Sequence, residues 1–125
     1  MTFVLEQSAT FTWPIVIREL QDGGRYRTHH FDAVFNRLPQ SRLEEIQISY
    51  QRIKSLAARD LEIEELPTRA IAGELLAGWQ GITDSSGDAI PFSEDAKAKL
   101  LEVNAVADVL VATYIQAIEK AKEKN

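Results

Sequence analysis

Apolar residues alternate along the first part of the chain. In Phe11-Thr12-Trp13-Pro14-Ile15-Val16-Ile17-Arg18-Glu19-Leu20, the residues Phe11, Trp13, Ile15 and Ile17 share one face, while Thr12, Val16 and Arg18 share the other. A period of two is that of a β-strand with one covered face. Pro14 has no N–H to give to a ladder, so the strand is expected at a sheet edge. Asp22-Gly23-Gly24 supplies hairpin chemistry, because glycine takes positive φ without strain. Arg25 to Phe35 then reads as the return strand. A two-stranded ribbon is marginal in water, so this one is expected to lie on helices or on another subunit.

After Pro39 the period lengthens. Leu43, Ile46, Tyr50, Ile53 and Leu56 or Ala57 follow helical spacing and predict a helix over about 41–59, with Ser41 and Glu44 as a capping box. Asp60 to Glu65 is acidic and reads either as an extension of that helix or as a loop. Pro67 suits a first helical turn, and Thr68 to Gly78 reads as a second helix with Ile71, Leu75 and Trp79 on one stripe. The pattern then breaks. Asp84, Ser85, Ser86, Gly87 and Asp88 are turn formers, and Pro91 disfavours helical geometry at Ile90. Ser93 is placed to cap a short third helix to Val103, with Glu94 and Asp95 in its first turn. Asn104 is placed to cap a fourth helix carrying Val106, Val109, Leu110, Tyr114, Ala117, Ile118 and Ala121. Val111 and Ile115 widen its apolar face, which implies a central core helix or a partner contact. Glu119 to Asn125 reads as a solvated end. The pattern therefore predicts an α+β, mainly helical fold: an N-terminal β-hairpin (about 9–36) followed by about four α-helices (about 41–122), in a single domain over 1–125.

Composition narrows the function classes. In 125 residues, 45% are hydrophobic and 26% charged, the balance of a globular domain. The net charge of −5 argues against nucleic acid and anionic membrane as partners, since both require a basic face. The absence of cysteine excludes disulfides, thiolate metal sites and cysteine catalysis, and it fits a reducing cytoplasm. The segment Met1-Thr2-Phe3-Val4-Leu5-Glu6 lacks a basic start and a long apolar run, so no signal peptide is expected. No apolar run approaches the ~20 residues of a membrane span.

The candidate chemistry is sparse. His29 and His30 are neighbours on a strand and point to opposite faces, so they cannot share an ion. His30 and Asp32 share a face but are too few for a tetrahedral site. Asp84-Ser85-Ser86-Gly87-Asp88 lacks the spaced acids of a calcium loop and reads as a turn in which Asp84 bonds its own backbone and Gly87 takes positive φ. Glu62, Glu64 and Glu65 form a solvated run. No nucleophile–base pair, phosphate loop or cofactor motif is visible, so the reading is a non-enzyme without catalytic residues, cofactor or metal. Trp79 and Phe92 are expected in the core at either side of the turn. Trp13, beside Pro14 on an edge strand, is a candidate surface anchor and, with Val111 and Ile115, a candidate partner contact. Arg18, Arg25 and Arg27 could line one side of the hairpin.

The stretch Trp79, Gly81, Ile82, Asp84, Gly87, Ile90, Pro91, Phe92, Ser93, with Leu100 and Leu101 in the short helix beyond, resembles the tail assembly chaperones of long-tailed bacteriophages and prophages. Trp13-Pro14, the hairpin and the run from Phe31 to Leu38 are similar to the same proteins. The resemblance makes Trp79, Gly81, Asp84, Gly87, Pro91, Phe92 and Ser93 the family motif. It implies a non-enzymatic protein of the host cytoplasm that coats and solubilises the tape measure protein and helps recruit tail tube subunits during tail morphogenesis. Such a protein is absent from the mature virion. The implied partners are the tape measure protein, the tail tube protein through a longer frameshifted form, and further copies of the chain in a homo-oligomer. The alternative in the same setting is a structural minor tail or head–tail connector protein retained in the virion.

Overall fold

A computed structural model describes residues 5, 8–58, 68–103 and 105–123. The expectations for Asp60 to Glu65, Pro67, Asn104 and the last two residues lie outside these, as do the side chains of Ile53, Leu56 and Ala57 on the first helical stripe.

The hairpin forms as the alternation predicts. Strand β1 (Thr10–Gln21) pairs antiparallel with β2 (Arg25–Asn36) from Thr10↔Asn36 to Gln21↔Arg25, and the connection turns through Gly23 and Gly24 at φ 77° and 76°. A third strand, β3 (Leu76–Gln80), pairs antiparallel with the other side of β2, so the sheet order is β1-β2-β3 and Pro14 sits on an edge. The helices are α1 (Gln40–Ala58), α2 (Thr68–Leu75), α3 (Glu94–Glu102) and α4 (Val106–Glu123).

The expectation of a mainly helical fold, a hairpin followed by helices alone, is therefore corrected. Strands of 12, 12 and 5 residues stand against helices of 19, 8, 9 and 18, a roughly balanced α+β architecture with a three-stranded antiparallel sheet. The second helix does not run to Gly78. It stops at Leu75, and the chain becomes strand without an intervening loop. Helical propensity is weak at Gly78, whereas strand pairing there satisfies the open edge of β2. The register explains why the segment looks helical. Phe35 faces Leu76, Val34 faces Gly78 and Ala33 faces Trp79, so Ala77 is the extra residue of a bulge. Strict alternation would send Leu76 and Trp79 to opposite faces; the bulge brings both to the inner face, a spacing of three that imitates a helix.

That inner face is the core. Ile15, Ile17, Phe31, Ala33 and Phe35 of the hairpin are buried against Ile71, Ala72 and Leu75 of α2, Leu76 of β3, and Val106, Leu110, Val111, Tyr114 and Ile115 of α4. Tyr114 is the largest fully buried side chain. Its ring packs edge-on to Phe35 at 5.1 Å and against Phe11 at 5.6 Å. Its hydroxyl donates to the Asn36 carbonyl at 2.8 Å and accepts the Leu38 N–H at 3.4 Å, tying α4 to the end of β2. Burial raises the Tyr114 pKa against the opposing pull of the Leu38 hydrogen bond.

Helix α1 is attached differently. It begins at Gln40 rather than at a Ser41 cap, and the Pro39 carbonyl accepts the N–H groups of Arg42 and Leu43. Ile46 is its buried residue among those described, with Leu43 and Tyr50 leaning on the core. The Arg42 guanidinium binds the Glu74 carboxylate of α2 through two bonds of 2.9 and 2.7 Å, and Glu45 at 2.9 Å. The Glu74 side chain raises the Arg42 pKa further, and Arg42 in turn holds the Glu74 pKa below the ordinary glutamate value.

Two predictions follow from these ties. Tyr114→Phe keeps the ring but orphans the Asn36 carbonyl and the Leu38 N–H, and should cost about 1–2 kcal/mol in urea unfolding. Tyr114→Ala should cost about 3–5 kcal/mol. For the ion pair, a lowered folded pKa means stabilisation present in full above the ordinary glutamate range and lost as pH falls through the lowered value. Both groups are partly exposed, so solvent screening keeps the contribution small. Glu74→Gln should flatten the acid limb of the stability–pH curve, measured by urea midpoints between about pH 6 and pH 3.

Candidate functional site

The stretch from Trp79 to Ser93 folds into one joint between the sheet and α3. β3 ends at Gln80, and Gly81 turns the chain at φ 90° close under β2. A Cβ at Gly81 would meet the Phe31 Cα at 3.6 Å, an ordinary contact, so it is the positive φ that would strain a side chain there. Thr83 and Ala89 then form an isolated bridge around a tight loop. Asp84 Oδ1 accepts the N–H groups of Ser86 and Asp88 at 2.9 and 3.1 Å, and Gly87 takes φ 85°. This is the turn chemistry expected of Asp84 and Gly87.

The Trp79 ring stands edge-on to Phe92 with centroids 4.9 Å apart, and its indole N–H donates to the Ile90 carbonyl at 2.8 Å. Both rings are half-buried. Pro91 is exposed and keeps the approach to α3 extended. Ser93 caps α3 by accepting the Ala96 N–H at 3.1 Å, as its position predicts. Lys97 lies over the Phe92 ring at 5.8 Å and donates to the Gly73 carbonyl of α2 at 3.1 Å. The seven motif residues thus act together to set the angle of α3 against α2 and β3, and they do so without chemistry of their own.

The candidate partner contacts are not brought together on a surface. Val111 and Ile115 are 1% and 3% exposed, inside the core, where the wide apolar face of α4 meets the sheet, α2 and α3. Trp13 is half-buried on the inner face, edge-on to Phe11 at 6.4 Å. The anchor expected on the outside is therefore part of the core's rim.

The exposed apolar side chains lie elsewhere. From Arg18 to His30 every residue of the hairpin is exposed, because the strands extend past the helical layer. Leu20 and Tyr26 face each other across this ribbon at 66% and 63% exposure, and Val16 is exposed on the same face. Ile48 on α1 is 68% exposed. On the ribbon's inner face, His29 Nε2 meets Glu19 Oε2 at 2.6 Å, and this hydrogen bond lowers the Glu19 pKa. His30 points to the opposite face. No group of three His, Asp or Glu able to hold a metal ion occurs among the described residues. Sequence alternation places Leu20 and Tyr26 on the face opposite Phe11 and Trp13, but only the length of the covering helices shows where cover ends.

An open groove of about 410 Å³ lies between the start of β1, the end of β2, α1 and α4, lined by Phe11, Arg37, Leu38, Leu43, Tyr114 and Ile118. The Arg37 guanidinium lies over the Phe11 ring at 5.1 Å, which places one cation beside the apolar side chains of the groove. Among the described residues that line this groove, no nucleophile stands beside a base.

The joint makes a sharp prediction. Trp79→Ala removes a half-buried ring, its edge-on partner and the bond to Ile90, and should destabilise by about 2–4 kcal/mol in urea unfolding. Trp79→Phe should cost about half of that, because the ring contact survives.

The chain matches the family described as YdaY prophage protein over residues 36–125, from the end of β2 through the joint and both C-terminal helices. No curated protein and no solved structure is matched by the chain. The match spans well over half of the sequence and takes in the whole motif stretch, with most of the hairpin outside it, and on that basis the chain belongs to the YdaY prophage protein family.

Proposed function

We propose that this prophage protein is a tail assembly chaperone. In this reading it coats and solubilises the tape measure protein in the cytoplasm of the bacterial host, helps bring tail tube subunits to it, and leaves before the virion is complete. The carrying observation is the joint from Trp79 to Ser93, whose residues resemble the motif of such chaperones, in a chain of prophage origin.

The surfaces are compatible with that role. A coat for a long helical protein needs apolar contacts spread over an accessible surface and no catalytic centre. With Val111 and Ile115 committed to the core, the contact passes to α1. This helix is fastened through Arg42, Leu43, Ile46 and Tyr50 and presents Ile48 outward. One turn to either side of Ile48 stand Glu44, Glu45, Gln51 and Arg52, so α1 offers a single apolar contact framed by polar side chains. Tube recruitment is assigned to a longer frameshifted form, as the resemblance implies.

Co-expression tests the proposal. The tape measure protein encoded beside this gene should be insoluble alone and soluble with the chain. Ile48→Glu, at an exposed position that leaves the core intact, should lower the soluble yield several-fold. A tape measure protein that aggregates equally with and without the chain would end the chaperone reading.

A further inference from the structure

The inner face of the hairpin enters the core, and the register places the alternate residues of both strands on the other face. That outer face runs in five cross-strand rows from Thr12↔Val34 to Leu20↔Tyr26, and apart from half-buried Val34 its residues are exposed. Five of the ten positions are apolar: Pro14, Val16, Leu20, Tyr26 and Val34. The solvated face of an antiparallel sheet is ordinarily polar, so this one carries more apolar surface than contact with water requires. Arg25 and Arg27 are not part of it, since Arg27 pairs with Glu19 on the opposite face.

The outer face of these five rows holds one cation and one carboxylate. Arg18 lies in the row with Thr28, and Asp32 lies in the row with Pro14, on either side of the Val16↔His30 row. Four residues of strand separate the two charges by roughly 14 Å, too far for a bond within one chain. Among the described residues neither side chain has an ion-pair partner. With histidine neutral, these rows carry no net charge, in a chain that carries −5. Two copies that meet here avoid the repulsion that the rest of their surface imposes.

We infer that two copies of this chain pack outer face to outer face, about a two-fold axis that crosses the strands at the Val16↔His30 row. That row is at the middle of the 12-residue strands, so the axis lays the tip of each hairpin over the proximal sheet of the other copy. The axis reverses strand direction. Arg18 of one copy therefore comes over Pro14 of the second, beside its Asp32, and charges that cannot meet within one chain meet twice between two. Tyr26 comes over Val34 of the second copy. A Cβ at Gly78 would lie 3.5 Å from the Val34 Cβ, so the missing side chain of Gly78 leaves a recess beside Val34 for the ring. An axis parallel to the strands would put Arg18 over Thr28 and leave both charges unpaired, so the charge pattern selects the first arrangement. The contact uses the same patch on both copies and closes at two. It does not rest on the tape-measure reading. A chain that dimerises in this way yet leaves the tape measure protein insoluble would overturn only the proposed function.

Sedimentation equilibrium with charge swaps tests it. The wild-type chain should fit a monomer–dimer equilibrium without larger species. Arg18→Glu and Asp32→Arg should each weaken the dimer on the order of tenfold, because two attractions become repulsions. An equimolar mixture of these two variants restores opposite charges at both contacts and should recover the dimer, as should the double variant Arg18→Glu/Asp32→Arg. Val16→Asp sets two carboxylates against each other on the axis and should sediment as a monomer. A wild-type chain that stays monomeric, assembly that continues beyond two copies, a single variant that dimerises like the wild type, or a mixture that stays monomeric would each overturn the inference.

Discussion

A three-stranded sheet with one greasy face cannot stand alone in water, and in this protein α4, with α2 beside it, supplies the cover. α4 lies across the inner face with Val106, Leu110, Val111, Tyr114 and Ile115 all buried against it, and Tyr114 locks the arrangement by bonding the backbone where β2 ends. The width of the α4 apolar face follows from this task. It touches β1, α2 and α3 at once, and each neighbour needs a different side of the same helix. Removing α4 would expose the sheet and leave α2 and α3 with little to pack on.

The joint from Trp79 to Ser93 serves the same end. β3 closes the second edge of β2, and the chain must then leave the sheet and return as α3 at the right angle to meet α4 and α2. Gly81 allows the exit close under Phe31, the Asp84 turn reverses direction, Trp79 and Phe92 clamp the two sides together, and Ser93 starts the helix. A motif of this kind reflects geometry: each residue type answers a backbone or packing requirement.

Much of this could be read from the residues themselves. The hairpin, its glycine turn, the edge position imposed by Pro14, the Asp84 turn and the Ser93 cap all depend on local chemistry, and the structure contains them. β3 could not be read, because the bulge at Ala77 gives Leu76 and Trp79 a helical spacing and because the reason for a strand there is the distant open edge of β2. The placement of Val111 and Ile115 was equally undetermined. An apolar residue on a wide stripe looks the same whether the surface above it is a sheet or a partner. The exposure of Leu20 and Tyr26 depends on where the helices stop short of the hairpin, a tertiary fact with no local signature.

What results is a helical cover over one end of the hairpin, with exposed apolar side chains on the arm and on α1. That suits a protein whose work is temporary association, as an assembly chaperone's is. Quantitative mass spectrometry of an induced lysogen tests this most directly. The account predicts the chain in complexes purified with the tape measure protein from the lysate and its absence from finished particles. Recovery of the chain in purified particles at a fixed ratio to the tail proteins would contradict it and make the protein a structural component of the tail.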